Sequence, residues 1–585
     1  MRLAMEAYAK LSAVDDPWLL AFVEDMVALC QPAAVTVLGD SADDLEYIRK
    51  RVLEQKEEVF LEKWGHNYHH DHPEDRTTIT PLFLTDAKKS GWWPGTCQVP
   101  RREGLSQAQE HMRGAMAGKE MFVCLYTLGP QFSTRAIPVV QVTDSAYAAH
   151  NGQILCRPGY TPGAWGKSRR DWISVVHSTG NLVQGRVQNP ERRSIWVDTV
   201  ENRVYVYGSQ YVENSVGPRT VFGLVARRLR QEKGLAEKAF LAGISARQGT
   251  VYAALALLPE DTGNSLLFSK QVQPISADAV LMSLEEGSVM AVGAGRGVFG
   301  VLPEEDTPEN HILFSAIESP REEVVSNQWM DAPEQLWFWL NSQKGDPPSG
   351  INYRAKWHVG QPGAEVGHTP QNADYALRVT ELANADAAWN RMEGVKLDAI
   401  VYGCADPEDM PPIVEAFDWE HGVYLGACAE RRGEAGMRHI PFSNGASIPL
   451  NVAEDIAERM QLAKRAENPP RVFLCNFFRQ KGGALCHGLW HRELWARWMA
   501  ERIDSGLKAR KSPIGWLPQY SDLATLAKEL GHAYSREEYN EQFSIRKQGL
   551  LQKEERMAEA FLPWEMSAAF CAQAKKQRQR LLELP

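Results

Sequence analysis

No apolar run in this 585-residue chain reaches the roughly 18 residues that a membrane-spanning helix needs, so no membrane span is expected. The start, MRLAMEAYAK, lacks a basic segment followed by an apolar one and runs directly into Asp15 and Asp16, which argues against secretion. Cysteine is sparse and never forms a CxxC pair. Nine scattered cysteines read as free, buried thiols of a reducing compartment, and the expected location is cytoplasmic. Positive charge is in deficit: 64 basic against 74 acidic residues give a net charge of −10, a surface that does not favour nucleic acid or anionic lipid as a partner. No internal repeat and no long low-complexity stretch is found.

What remains is an ordinary globular composition, 44% apolar and 24% charged, on a chain long enough for two or three domains. Strands are expected at residues 34–38 (AVTVL), 121–127, 139–142, 194–200 and 203–208, and at 251–258 (VYAALALL). Helices are expected at 43–56, 107–118 and 220–234, and from about Ser535 to the charged stretch ending at Leu582. Residues 66–75 read as a polar loop, 320–385 as loops and short elements, and 399–402 and 423–425 as strands. Alternation of strand and helix argues for α/β layers.

Several segments then line up with one family. HMRGAMAGKEMFVCLYTLGP (111–130) and VVQVTDSAY (139–147) are followed by YGSQYVENSVGPRT…GLAEKAFLAGI (207–244) and GVFGV (297–301). Further on come DAIVYG…PPIVEAFDWEHGVYLGA (398–427), RVFLCNFFR (471–479) and SPIGWLP (512–518). In this order, over residues 25 to 570, they resemble the GTP-dependent phosphoenolpyruvate carboxykinases. The resemblance implies an α/β fold with an N-terminal mixed-sheet domain (1–220) and a C-terminal mononucleotide-binding-type domain (221–585), with a lid-like segment around 430–450. It also implies conversion of oxaloacetate and GTP to phosphoenolpyruvate, carbon dioxide and GDP with manganese and magnesium, by a protein that is often monomeric.

The residues that carry this chemistry in the family are largely replaced here. Phosphoryl transfer needs a phosphate-cradling loop, a lysine on the phosphates and a hydroxyl on the metal. The family's P-S-A-C-G-K-T-N loop corresponds to Pro259-Glu260-Asp261-Thr262-Gly263-Asn264-Ser265: Gly263 and a hydroxyl at Ser265 survive, but lysine has become Asn264. Glu260 and Asp261 set carboxylates against a triphosphate, where each like-charge pair costs ~1 to 4 kcal/mol at about 4 Å. At the manganese site the family's Lys-Lys pair falls on Arg219 and Thr220, and its histidine on Lys238. Its Asp-Asp pair has no counterpart placed within 280–291, where Glu285 and Glu286 are the available acids. Among the substrate anchors Ser209, Tyr211, Asn214 and Ser215 match, while two glycines have become Val212 and Glu213. Three arginines fall near His70, near Asp374 and in the segment Gly403-Cys404-Ala405-Asp406. In the guanine pocket Phe477 and Phe478 remain, and the later aromatic pair falls on Ala484 and Leu489.

One cluster is new. His66, His69, His70 and His72 lie within seven residues beside Asp71, Glu74 and Asp75, a donor set suited to a transition metal, although a polar loop binding nothing is the simpler reading. His421 reads as structural, and Cys475 and Cys486 as inert thiols. Three readings stay open. The chain is a diverged homologue that has lost GTP- and metal-dependent chemistry and binds a different small-molecule ligand, or performs different chemistry, in the old substrate cleft. Alternatively it is a divergent working carboxykinase, or a regulatory or structural pseudoenzyme. On the first, Tyr211, Lys238 and His70 are the candidate catalytic groups, and Ser209, Glu213, Asn214 and Arg219 the candidate substrate contacts.

Overall fold

The computed structural model describes residues 3–62, 65–71, 79–86, 92, 96–159, 172–183, 186–256, 266, 268–277, 279–303, 306–308, 310–319, 322–327, 330–331, 336–337, 349–352, 355–358, 373–433, 436–439 and 451–584. The chain forms two compact units. The first comprises Met1–Lys89, Thr96–Val225 and Ala294–Ala383, and the second Ser90–Gly95, Ala226–Gly293 and Asn384–Pro585.

The first unit is organised around a nine-stranded mixed sheet whose central strands, Glu120–Leu128 and Ile137–Thr143, are buried at every residue. Strand Ala34–Leu38 pairs with the former in parallel, and Ile173–Ser178 extends the sheet in parallel from the latter. Helix Pro17–Cys30 packs its apolar stripe, including Leu19, Phe22, Val23 and Val27, on Met121, Val123 and Val140. Asp16 caps that helix through the Trp18 N–H and accepts from Trp172 Nε1 at 2.8 Å.

A second sheet in this unit runs Glu58–Leu61, His66–His69, Val324–Ser326, Asp374–Arg378, Gly297–Val301. Helix Ala146–Leu155, buried at all ten positions, packs against strands of both sheets. Close approach explains two glycines: a Cβ at Gly152 would lie 1.9 Å from Tyr126 Oη, and one at Gly297 would lie 2.4 Å from Leu155 Cα.

The second unit holds an eight-stranded sheet ordered Val272–Ser276, Phe240–Ser245, Thr250–Ala256, Ala399–Cys404, Arg471–Asn476, Ile413–Glu415, Gly515–Pro518, Ala509–Ser512. Its three middle strands, Thr250–Ala256, Ala399–Cys404 and Arg471–Asn476, are mutually parallel and apolar, as expected of a sheet covered on both faces. A four-stranded sheet, Leu235–Glu237, Val280–Glu285, Ser288–Gly293 and Val395–Lys396, completes it.

Two local expectations are corrected. Residues 423–425, expected as a strand, lie in helix Trp419–Ala427, because the Asp418 side chain accepts the His421 N–H at 2.8 Å and starts a helix there. Residues 66–69, expected as loop, form strand His66–His69, since each buried histidine finds a hydrogen-bond partner that lets it enter the interior.

Candidate functional site

In the first unit one end of the five-stranded sheet carries Asp374. Register sets His69, Ser326 and Asp374 in one row across three adjacent strands. Just beyond it the Asp71 N–H donates to Asn327 Oδ1 at 3.0 Å, and the Asn327 amide donates back to the Asp71 carboxylate. Asp374 is 5% exposed.

The three described histidines of the cluster, His66, His69 and His70, are held on separate partners. His66 hydrogen-bonds the Ile317 carbonyl. His69 stacks on Tyr147 at 3.5 Å, with Nδ1 2.7 Å from the Glu57 carbonyl. His70 Nε2 lies 2.6 Å from the Tyr68 hydroxyl, and His72 is outside the described residues. Alternation along the strand sends neighbouring side chains to opposite faces. Among the described residues no group of three or more His, Cys, Asp or Glu side chains is arranged to hold a metal ion.

The segment 209–217 is held by groups outside the candidate set, Gln141 and His177. Gln141 donates to the Ser215 carbonyl at 2.6 Å and accepts the Gly217 N–H at 2.8 Å. His177 Nε2 is 2.8 Å from the Ser209 carbonyl, and its Nδ1 is 2.7 Å from the Thr143 hydroxyl. Burial holds the His177 pKa below its ordinary value, so the neutral ring donates to Ser209 and accepts from Thr143. Asn214 donates to the Ser209 hydroxyl at 3.2 Å. Tyr211, directly before the short helix Val212–Ser215, meets Phe299 edge-on at 6.3 Å. Glu213 is partly exposed, and the Arg219 side chain lies outside the described residues. The V-Q-x-T-D-S-x-Y pattern contained Gln141 and Thr143, so this support was present in the motif although its purpose was not.

In the second unit, Lys238 is exposed directly after strand Leu235–Glu237. Its buried neighbour Glu237 is ion-paired with Arg459 and accepts from the Tyr402 hydroxyl at 3.2 Å. Gly263, Asn264 and Ser265 follow the central strand Thr250–Ala256 and fall outside the described residues. Asp406 pairs with Lys553 at 3.1 Å and accepts N–H groups of Glu408 and Asp409 at 3.1 and 2.7 Å. Phe477 stacks on Trp495 at 5.9 Å beneath the Arg492 guanidinium, 5.1 Å from its ring. Beside them His487 is 9% exposed, and neither of its ring nitrogens has a hydrogen-bond partner among the described residues. Burial, then the Arg492 charge, pushes its pKa down to about 4, so this imidazole is neutral.

A family profile described as the phosphoenolpyruvate carboxykinase C-terminal P-loop domain matches residues 234–580, and the N-terminal domain profile matches 21–227. The chain belongs to the GTP-dependent phosphoenolpyruvate carboxykinase family. It is 31% identical over 601 residues to the phosphoenolpyruvate carboxykinase [GTP] of Pyrococcus horikoshii, covering 99% of this chain and 96% of that one. It is 30% identical over 591 residues to that of Saccharolobus solfataricus, covering 99% and 95%. Similarity extends to the Anaeromyxobacter dehalogenans protein of the same name, 26% identical over 533 residues, 86% of this chain and 87% of the other.

In the register that the resemblance implies, the residues at the manganese-ligand positions are poor donors for that metal. Lys238 and Arg219 bring cations to the positions that the resemblance assigns to ligands, Thr220 is a weak donor, and the adjacent carboxylate of Glu237 is already engaged by Arg459. No helix among the described residues is long and apolar enough to cross a membrane.

Proposed function

We propose that this carboxykinase homologue has lost GTP- and metal-dependent decarboxylation and phosphorylation of oxaloacetate, and that its old substrate cleft holds a different small molecule. The observation that carries this reading is Asp374. A buried carboxylate stands in one row with His69 and Ser326 where the resemblance has a substrate-binding arginine. With Asp71 next to His70, and Glu213 between Tyr211 and Asn214, that set favours a neutral or cationic, donor-rich ligand over a dianion. On this reading Ser209, Asn214 and Tyr211 contact the ligand, with Tyr211 and His70 as proton-transfer groups. Arg219 supplies fixed positive charge in the same unit, and Lys238 of the second unit is an exposed cation where the resemblance has a histidine.

A second reading, a working GTP-dependent carboxykinase, is favoured by similarity along nearly the whole chain to proteins of that name. Thermal-shift titration with GTP, GDP and manganese separates the two. The first reading expects no rise in Tm and no oxaloacetate turnover. A rise of several degrees at micromolar GTP, together with turnover, establishes the second.

A further inference from the structure

A cavity of about 770 Å³ opens in the second unit, lined by residues of the hairpin Ala509–Ser512 and Gly515–Pro518 and of helices Tyr520–Glu529 and Arg536–Gln542. That volume lies within the range of small-molecule sites, roughly 300 to 1,000 Å³. Arg510, Lys511 and Arg536 line it, Tyr520 and Tyr539 form an aromatic wall, and Asn540 adds an amide; no carboxylate side chain is among its lining residues.

The three cations are held without being neutralised. The Arg536 guanidinium sits 4.9 Å from the Tyr520 ring centre and 5.7 Å from that of Tyr539. The Lys511 ammonium is 5.8 Å from the Phe417 ring, and Arg510 donates to the Phe543 carbonyl at 3.3 Å. Some other exposed cations of the same unit are paired with acids, as in Arg228–Glu232, Arg247–Glu529 and Lys481–Glu541. In a chain of net charge −10, this concavity is lined by the guanidinium groups of Arg510 and Arg536, with no carboxylate side chain among its described lining residues. Neighbouring residues of a strand face opposite ways, so Lys511 turns its ammonium to Phe417, and the two guanidinium forks of Arg510 and Arg536 are the groups left to meet the oxygens of a polyanion.

We propose that this cavity binds a small, multiply charged anion, either phosphorylated or polycarboxylated. The proposal uses none of the residues of the old cleft, so it stands or falls separately from the reading above. Isothermal titration calorimetry of the full chain, with pyrophosphate in one arm and citrate in the other, at about 50 mM salt to limit screening, tests it. The expected result is one site per chain. Arg510→Gln and Arg536→Gln should each weaken binding about tenfold or more, and Arg536→Lys less, while all three variants keep the wild-type melting profile because the positions are exposed. Binding of pyrophosphate alone assigns a phosphorylated ligand, and of citrate alone a polycarboxylate. No heat with either at millimolar concentration, or affinity unchanged in the Arg510→Gln/Arg536→Gln double variant, overturns the proposal.

Discussion

Asp406 occupies one of the positions where the family resemblance has an arginine, and its surroundings show what that exchange required. The carboxylate is 4% exposed, faces the Lys553 ammonium and accepts two backbone N–H groups of its own turn. Burial pulls its pKa up, but Lys553 and the N–H donors outweigh burial and hold it below the ordinary carboxylate range. It therefore closes a structural ion pair rather than offering charge to a ligand, and of the acids that replace arginines Asp374 is the stronger site candidate. Removing one partner of a buried pair strands the other, so Lys553→Met should destabilise the protein by about 3–5 kcal/mol in urea unfolding. Asp406→Asn/Lys553→Met should recover much of that loss. A cost below about 1 kcal/mol for Lys553→Met would show the pair to be solvated. Because the native carboxyl pKa lies below its unfolded value, the pair's contribution is present at neutral pH and is lost as pH falls through the native pKa.

Helix Ala146–Leu155 carries the same argument to the level of an element. A helix buried on every side must satisfy its polar residues internally, and His150 does so with Nδ1 3.0 and 2.9 Å from the two Glu58 oxygens and Nε2 3.8 Å from Glu322. Glu322 also pairs with Arg49 and Arg378, and Glu58 accepts from Asn67 at 2.6 Å. Burial favours the neutral imidazole, yet the two carboxylates outweigh it and push the pKa up to about 9. The native pKa thus exceeds the unfolded value near 6.5, so the stabilisation is fully present below about pH 6.5 and is lost as pH rises through about 9. Urea midpoints of wild type and His150→Gln, followed from pH 6 to 10, should differ most at the acid end and converge at the alkaline end; a constant difference would exclude His150 as the titrating group. Nothing in the sequence marked this residue, because its partners are about 90 and 170 positions away and only the fold assembles them. Elements set by local pattern were legible, as in Ala34–Leu38 and Arg203–Tyr207. Elements set by a cap or by buried polar pairing, as at Asp418 and His66–His69, were not.

Across the whole molecule, family order survives while the site residues change, and the two depend on different physics. The core tolerates exchange of apolar residues of similar volume, so collinear segments remain recognisable. A binding set depends on a few charges whose replacement leaves the packing intact. Asn264 and Lys238 were readable for that reason, whereas the support from Gln141 and His177 and the orphaned His487 required coordinates. The return of residues 294–383 to the first unit is likewise invisible to local periodicity. The cysteines turn this organisation into a measurement. Cys30, Cys124 and Cys156 are buried in the first unit and Cys404, Cys428 and Cys475 in the second, while Cys97 and Cys571 are exposed and Cys486 is intermediate. Burial pushes Cys30 and Cys124 up to about 12 and raises Cys475 further, so these thiols stay protonated and unreactive in the folded state. Native titration with a thiol reagent at pH 8 should label Cys97 and Cys571 quickly and Cys486 slowly, and all nine in denaturant. Labelling at rising urea, read by peptide mass, should release the three buried thiols of a unit together, because each set reports the opening of one core. Release of Cys30 well before Cys124 and Cys156 would show that the first unit opens in parts.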